Sequence, residues 1–175
     1  MVEILTRRLR LTPLSAWDLD ALREMYADPD VMLGSSGVAV ARTHQETAEW
    51  LHRTLTTSSP RSGHETFRVE DSRSGLFLGR CGLRPDRDSF TTELAYAFVR
   101  QAWGRGIATE SALATVRWGF AGGLTEVTSC ALADNLASRR VLEKIGMRRV
   151  GEASTQTGAL IRYEARSEPG QPRDD

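Results

Sequence analysis

Lysine is nearly missing from this chain. Of 23 basic residues only Lys144 is not arginine, and 23 acidic residues bring the net charge to zero. A chain with no net positive charge lacks the electrostatic footprint of a general nucleic-acid binder. Cysteine is scarce as well. Cys81 and Cys130 are too few and too far apart for a disulfide framework or a zinc site. They read as small core residues of a protein in a reducing cytoplasm. No apolar run approaches the roughly 20 residues of a membrane span. The opening Met-Val-Glu-Ile-Leu-Thr-Arg-Arg carries its basic pair after the apolar residues, unlike a secretory signal. Aromatics make up 7%, and Trp17, Trp50, Trp103 and Trp118 have no spacing that suggests a base-stacking platform. His44 and His52 would stand about 12 Å apart along a helix. His64 is isolated, so no metal is expected. Neither cysteine has a histidine nearby in sequence, which argues against a cysteine nucleophile.

What remains is an ordinary globular composition. The 175 residues are 40% hydrophobic and 26% charged, enough for one continuous core and unlike a disordered or collagen-like chain. Charge is unevenly spread: residues 100–150 hold eight basic and four acidic side chains, so this stretch is +4 and the remainder −4. An anionic ligand is therefore expected in the second half.

Alternating Leu9 and Leu11 predict a strand over 6–11. Ser15 and Asp18 form a capping box for a helix to about Asp28, which Asp28-Pro29-Asp30 ends. A loop follows, and Thr43 with Glu46 caps a second helix that turns Ala48, Leu51 and Leu55 inward. Strands are predicted at 65–70, 76–84 and 91–99, with a turn at Pro85–Ser89 between the last two. A helix over 104–120, a strand over 125–131, a short helix from Asn135 to Ile145 and strands at 147–153 and 160–165 complete the core. The order is β-α-α-β-β-β-α-β-α-β-β, a mixed-sheet α/β domain spanning residues 1–165, with residues 166–175 expected to be a disordered tail.

Chemistry concentrates in Gln101-Ala-Trp-Gly104-Arg-Gly106-Ile-Ala-Thr-Glu110, at a strand-to-helix junction. Two glycines let backbone approach an anion, and the first helical N–H groups point at it. A dinucleotide fingerprint would need glycine where Thr109 stands, and no Gly-Lys-Ser/Thr marks a P-loop. Some 30 residues on, Asn135 heads the next helix, and Ser138 shares a stripe with Val141, Leu142 and Ile145. Both also fit plain helix-start roles.

These segments resemble a known family. Gln-x-x-Gly-x-Gly at 101–106 is similar to the acyl-CoA pyrophosphate loop of the GNAT N-acetyltransferases. Asn-x-x-Ser followed by Glu-Lys-Ile-Gly-Met is similar to that superfamily's next helix and strand. The N-terminal Thr-Arg-Arg-Leu-Arg-Leu-Thr-Pro-Leu with Asp-Pro-Asp-Val-Met resembles the RimJ/RimL branch, which contains the ribosomal-protein N-terminal acetyltransferases. The resemblance covers about residues 5–165. It implies the GNAT fold, a mixed, mostly antiparallel α/β sheet splayed at its centre.

The resemblance also implies acetyl-CoA as co-substrate and direct attack of an amine on its thioester. Phe98, Val99 and the following loop would line the cofactor. The amides of Gly104, Arg105, Gly106 and Ala108 would hold the pyrophosphate, with Arg100 and Arg105 nearby in charge and Gln101 and Ile107 framing the loop. Asn135 would bind pantetheine, and Ser138 would sit by the sulfur. Arg139, Arg140 and Lys144 are alternatives for the ribose phosphate. Glu93 stands where relatives carry a base, the alternative being a salt-bridged strand glutamate. Many relatives place a tyrosine seven residues after the Asn, where this chain has Leu142, so Ser138 is expected to serve the leaving sulfur. The N–H of Val99 is expected to meet the oxyanion. The acceptor should be recognised by loop 31–40 and turn 154–159. Neither holds an acidic cluster, which favours a peptide N-terminal amine over a polyamine or aminoglycoside. A small-molecule amine acceptor or a non-catalytic acyl-CoA sensor are the alternatives, and a homodimer is left open.

Overall fold

In the computed structural model, residues 2–86, 91–155 and 158–167 are described. Eight strands form one sheet in the order β1-β2-β3-β4-β5-β6-β8-β7. They are β1 (Ile4–Leu5), β2 (Leu9–Pro13), β3 (Glu65–Asp71), β4 (Phe77–Pro85), β5 (Thr92–Phe98), β6 (Glu126–Leu132), β7 (Arg148–Thr155) and β8 (Gly158–Arg166). The helices are α1 (Leu19–Tyr26), α2 (Pro29–Ser36), α3 (His44–Thr57), α4 (Ile107–Ala121) and α5 (Leu136–Lys144).

Side-chain alternation sorts the sheet into two faces, each with its own core. Leu9, Leu11, Phe67, Cys81, Leu83 and Leu94 join Ile107 and Val116 of α4 and Leu142 of α5 on one face. Leu22, Met25 and Tyr26 of α1, Val31 and Met32 of α2, Leu51 of α3 and Ala97 of β5 pack on the other. Every neighbouring pair is antiparallel except β5 and β6. That parallel contact lasts only two positions, Thr92↔Val127 and Glu93↔Thr128. Beyond it the strands part, because β6 keeps full register with β8 from Glu126↔Arg166 to Leu132↔Leu160. At the fork, side chains replace the ladder: Thr128 Oγ1 donates to Thr92 O (3.2 Å) and Ser129 Oγ to Leu94 O (2.9 Å). The central splay therefore opens beside the second half of β5.

The sequence-based order needs one more strand and one more helix. Residues 6–11 are not one strand. Thr6 N donates to Leu9 O, and Leu9 N to Thr6 Oγ1, closing a tight turn over Arg7 and Arg8 that makes β1 and β2 a hairpin. Asp28-Pro29-Asp30 does end α1, but it also starts α2: Asp28 accepts the Asp30 N–H at 2.9 Å, and Pro29 takes the first helical position, where its missing N–H costs nothing. Most of the expected loop 31–40 is thus helix. Helix α4 begins at Ile107 rather than 104, since Gly104 and Gly106 have left-handed backbones. Strand β8 runs through Arg166, and Ser167 N still donates to Thr125 O, so the chain is ordered past the expected start of the tail. Residues 87–89 of the expected turn at 85–89, residues 156 and 157 of turn 154–159, and tail residues 168–175 lie outside the described residues.

Candidate active site

The glycine loop leaves β5 through a 3-10 turn, Arg100–Ala102, and enters α4 at Gly106, its N-cap. Gly104 (φ 70°) and Gly106 (φ 75°) take a conformation that costs an L-residue about 1–2 kcal/mol. Glu110 N makes the helix's first bond, to Gly106 O, so the amides of residues 107–109 have no acceptor within the helix. These N–H groups, with the helix dipole behind them, form an anion cradle. A Cβ on Gly104 would meet nothing within 4 Å, so the loop's outer side is open. Ile107 is buried and Ala108 half-buried, which fixes the helix start against the core.

A support absent from the sequence reading holds this loop. Arg8, in the β1–β2 turn, donates from Nη1 to Arg105 O (3.0 Å) and from Nε to Glu110 Oε2 (2.7 Å). Thr6 Oγ1 and the Arg8 amide donate to the other oxygen of Glu110. Burial alone would raise the Glu110 pKa, but these hydrogen bonds from Thr6 and Arg8 hold it below the ordinary glutamate range. No local motif links residue 8 to residue 110, so only the tertiary structure shows the pair. Arg8→Ala is expected to loosen the loop and weaken acetyl-CoA binding about tenfold by calorimetry, the loss of about one charge-assisted hydrogen bond. Unchanged affinity would show that the loop holds its shape without Arg8.

The basic residues named from sequence divide. Arg100 is drawn toward α2, with Nη1 2.5 Å from Asp30 Oδ2 and Nε 3.8 Å from Asp28. Arg105 is exposed at the loop and donates to Gln101 O at 3.4 Å. Arg139 donates to Ala133 O and the Tyr163 hydroxyl, whereas Arg140 and Lys144 are exposed on α5.

The splay is lined by backbone whose direction follows from one bond. Val99 N donates to Leu78 O at 3.0 Å, so the amides of Val99, Ala97 and Ala95 face β4. The expected oxyanion role of Val99 N–H is therefore corrected: that group is consumed by the sheet. By the same alternation, the N–H groups of Tyr96 and Phe98 face the gap where β6 has departed. Trp103 Nε1 caps Phe98 O at 2.9 Å.

Across the gap stands α5. Asn135 Oδ1 accepts the Ser138 N–H at 3.0 Å as N-cap, while its Nδ2 donates to Gly34 O of α2 at 3.1 Å. Ser138 Oγ lies 2.9 Å from the Tyr96 hydroxyl. Tyr96, part of a Leu94-Ala95-Tyr96 run where relatives often read Ile-Gly-Tyr, is given no role by the sequence reading. Its signal was there: a hydroxyl in the row Leu94, Tyr96, Phe98, otherwise wholly apolar. Burial pushes its phenol well above the ordinary tyrosine range, against the opposing hydrogen bond with Ser138, so the hydroxyl stays protonated and can donate a hydrogen bond. Leu142 is fully buried and contributes packing.

Glu93 faces the α3 side. Arg84 Nε and Nη2 both engage its Oε2 at 2.8 Å, so one oxygen is ion-paired while Oε1 has no described partner. Cys81 is fully buried, and burial pushes its thiol up to about 11, which suits a core residue and not a nucleophile. Among the described residues, no group of three His, Cys, Asp or Glu side chains gathers as a metal site.

Residues 8–148 match the family model of the acetyltransferase (GNAT) domain. The uncharacterized protein YkkB of Bacillus subtilis (strain 168) is 37% identical over 150 residues, which cover 83% of this chain and 84% of that protein. A GNAT-family acetyltransferase from Bacillus anthracis superposes with a TM-score of 0.80 at 23% identity, covering 94% of this chain and 98% of the other. A GNAT-family protein from Bordetella pertussis gives 0.81 at 22%, covering 94% and 99%. A splayed sheet, a glycine-capped helix N-terminus at its mouth and a family match over most of the length converge: the chain belongs to the GNAT family and is an acyl-CoA-dependent N-acetyltransferase.

Proposed function

We propose that this protein moves the acetyl group of acetyl-CoA to a primary amine by direct attack, with Glu93 and Ser138 as its catalytic side chains. The observation that carries this reading is the Tyr96–Ser138 hydroxyl pair, 2.9 Å apart, facing the open side of β5. The residues fit acetyl-CoA. Open space at Gly104, the first amides of α4 and the N–H groups of Tyr96 and Phe98 that face the gap suit a pyrophosphate and a pantetheine arm. Arg140 and Lys144 suit the ribose phosphate.

Bound acetyl-CoA supplies an activated acyl carbon and a thiolate leaving group. The chain's residues do the rest. Glu93 Oε1 accepts, directly or through water, the proton that the amine sheds as its nitrogen forms the C–N bond. Tyr96 or Phe98 N–H, fixed by the strand, donates to the carbonyl oxygen as negative charge develops there. Ser138 Oγ donates a hydrogen bond to the departing sulfur while Tyr96 donates one to Ser138, so the pair stabilises the thiolate that forms as the C–S bond breaks, and that thiolate takes its proton from solvent.

A protein or peptide N-terminal amine is the favoured acceptor. With a pKa near 7.7–8.0, such an amine is about a tenth neutral at pH 7, far more than a lysine. The N-terminal motif that resembles the RimJ/RimL branch supports the same acceptor. Solved structures sharing the fold at 15–17% identity include a ribosomal-protein-S5-alanine acetyltransferase, a spermidine N-acetyltransferase and an aminoglycoside acetyltransferase, so the fold leaves a small-molecule amine as the second reading.

Glu93→Gln is expected to lower kcat about a hundredfold or more, the usual contribution of a general base, with acetyl-CoA affinity unchanged. CoA-release kinetics beside calorimetry would show it. An unaltered kcat would remove Glu93 from the mechanism.

A further inference from the structure

Arg80 is only 8% exposed, yet among the described residues no carboxylate lies within 4 Å of it. Its Nε donates to the Tyr26 hydroxyl, and its guanidinium lies 4.8 Å from the Trp50 ring centre and 5.9 Å from that of Tyr26. Arg42 lies over the same two rings, 4.5 Å from Tyr26 and 5.7 Å from Trp50. Its Nη1 is buried without a hydrogen-bond partner. Burial lowers the Arg42 pKa, and the charge of Arg80 pushes the same way. Arg68, beside Arg80 on β3, shows the ordinary solution: it pairs with both Asp18 (2.7 Å) and Glu70 (2.9 Å). The charge of Glu46 acts on Arg42, which leaves Arg80 as a buried guanidinium with only a hydroxyl and ring faces around it, an arrangement that suits an incoming anion. The ring faces offset only part of the cost of burying it.

The location gives that anion a function. Arg80 lines a pocket with Trp50 and Thr54 of α3, Gly82 of β4 and Ala95 of β5. Gly82 and Ala95 are register partners, and Ala95 lies between Glu93 and Ala97 on the same face of β5, next to Tyr96 at the splay. Arg80 is two residues from Gly82, about 7 Å along the strand. Glu65 also borders the pocket, but its carboxylate is held by Ser58 Oγ (2.8 Å) and its neighbour's amide, Thr66 N (2.9 Å).

We propose that this pocket is the acceptor subsite and that Arg80 binds a carboxylate carried a few ångströms from the acceptor's amine. The inference rests on the acetyl-transfer reading above. The carboxylate has two sources, the α-carboxylate of a free amino acid or the side chain of an acidic first residue in a peptide. A polyamine would be repelled.

Paired acceptors test it by CoA release: methionine against methioninamide, Asp-Ala-Ala-amide against Asn-Ala-Ala-amide, and spermidine. The anionic member of at least one pair is expected to show about tenfold higher kcat/KM, although the amine of methioninamide is the more often neutral. The productive pair identifies the source. Arg80→Gln should erase the preference through KM and leave acetyl-CoA affinity intact, with Arg80→Lys retaining part of it. Equal rates within both pairs, preference for spermidine, or a preference that survives in Arg80→Gln would overturn the proposal. Should either variant fail to fold, the wild-type pairs decide alone. Should no amine turn over, calorimetry on the CoA-loaded protein decides: N-acetylmethionine is expected to bind about tenfold tighter than N-acetylmethioninamide, and equal binding overturns the subsite. Failure to bind acetyl-CoA at all would instead overturn the transfer reading.

Discussion

Gly106→Trp is expected to abolish acetyl-CoA binding, weakening it by more than a hundredfold. Gly106 is the N-cap of α4, at φ 75°, and a Cβ there would lie in ordinary contact with Arg8 Nη2 at 3.5 Å. A tryptophan side chain strains the left-handed backbone, and its ring projects where the pyrophosphate must approach. Losing two hydrogen bonds to a charged group, at about 1.5–3 kcal/mol each, corresponds to about 3–6 kcal/mol and hence to a hundredfold or more in Kd. Gly104→Ala separates strain from occlusion: its Cβ would meet nothing within 4 Å, so only the left-handed φ of 70° is penalised and the loss should be about tenfold or less. Calorimetric titration with acetyl-CoA, beside circular dichroism to confirm the fold, reads both. Tight binding by Gly106→Trp would show that the glycine loop does not hold the cofactor.

Ser138→Ala is expected to lower kcat about a hundredfold with little change in acetyl-CoA affinity. Tyr96→Phe, which deletes one oxygen from a buried and well-packed ring, should lower it by a similar factor. The informative quantity is the double variant. Two hydroxyls that act on the sulfur through one hydrogen-bonded chain are not independent, so Ser138→Ala/Tyr96→Phe should be hardly slower than the worse single variant. Losses that multiply would mean that the hydroxyls act separately. Retained kcat in Tyr96→Phe would reduce Tyr96 to an orienting hydrogen bond on Ser138. Because burial keeps the Tyr96 phenol above the ordinary tyrosine range, its contribution should persist through alkaline conditions that would deprotonate a free tyrosine.

How much of this was legible in the sequence depended on whether the determinants were local. Both capping boxes, the helix-ending glycines and the alternation in β3, β4 and β5 are written in residues three or fewer apart, and the structure places those elements within a few positions of their expected bounds. The errors came where one short motif serves two purposes. Asp28-Pro29-Asp30 is both a stop for α1 and a start for α2, and Thr6 interrupts an apparent strand by bonding to Leu9. The glycine loop and the Asn135–Ser138 helix start announced themselves by residue type and spacing. Other features of the site are long-range and could not. Arg8 reaches Glu110 across 102 residues, Tyr96 meets Ser138 across 42, and the Arg80 hydrogen bond to Tyr26 spans 54. The direction of the Val99 amide depends on the β4–β5 register, which no single segment encodes.

The most direct measurement is CoA release from acetyl-CoA with matched peptides, free or blocked at the N-terminus, beside a panel of small amines, with mass spectrometry of the acceptor. The expected result is release that requires a free amine, accompanied by one acetyl group on that amine and slowed about a hundredfold by Glu93→Gln or Ser138→Ala. Bound acetyl-CoA with no release for any amine, or release without acetylation of the acceptor, would contradict the assignment.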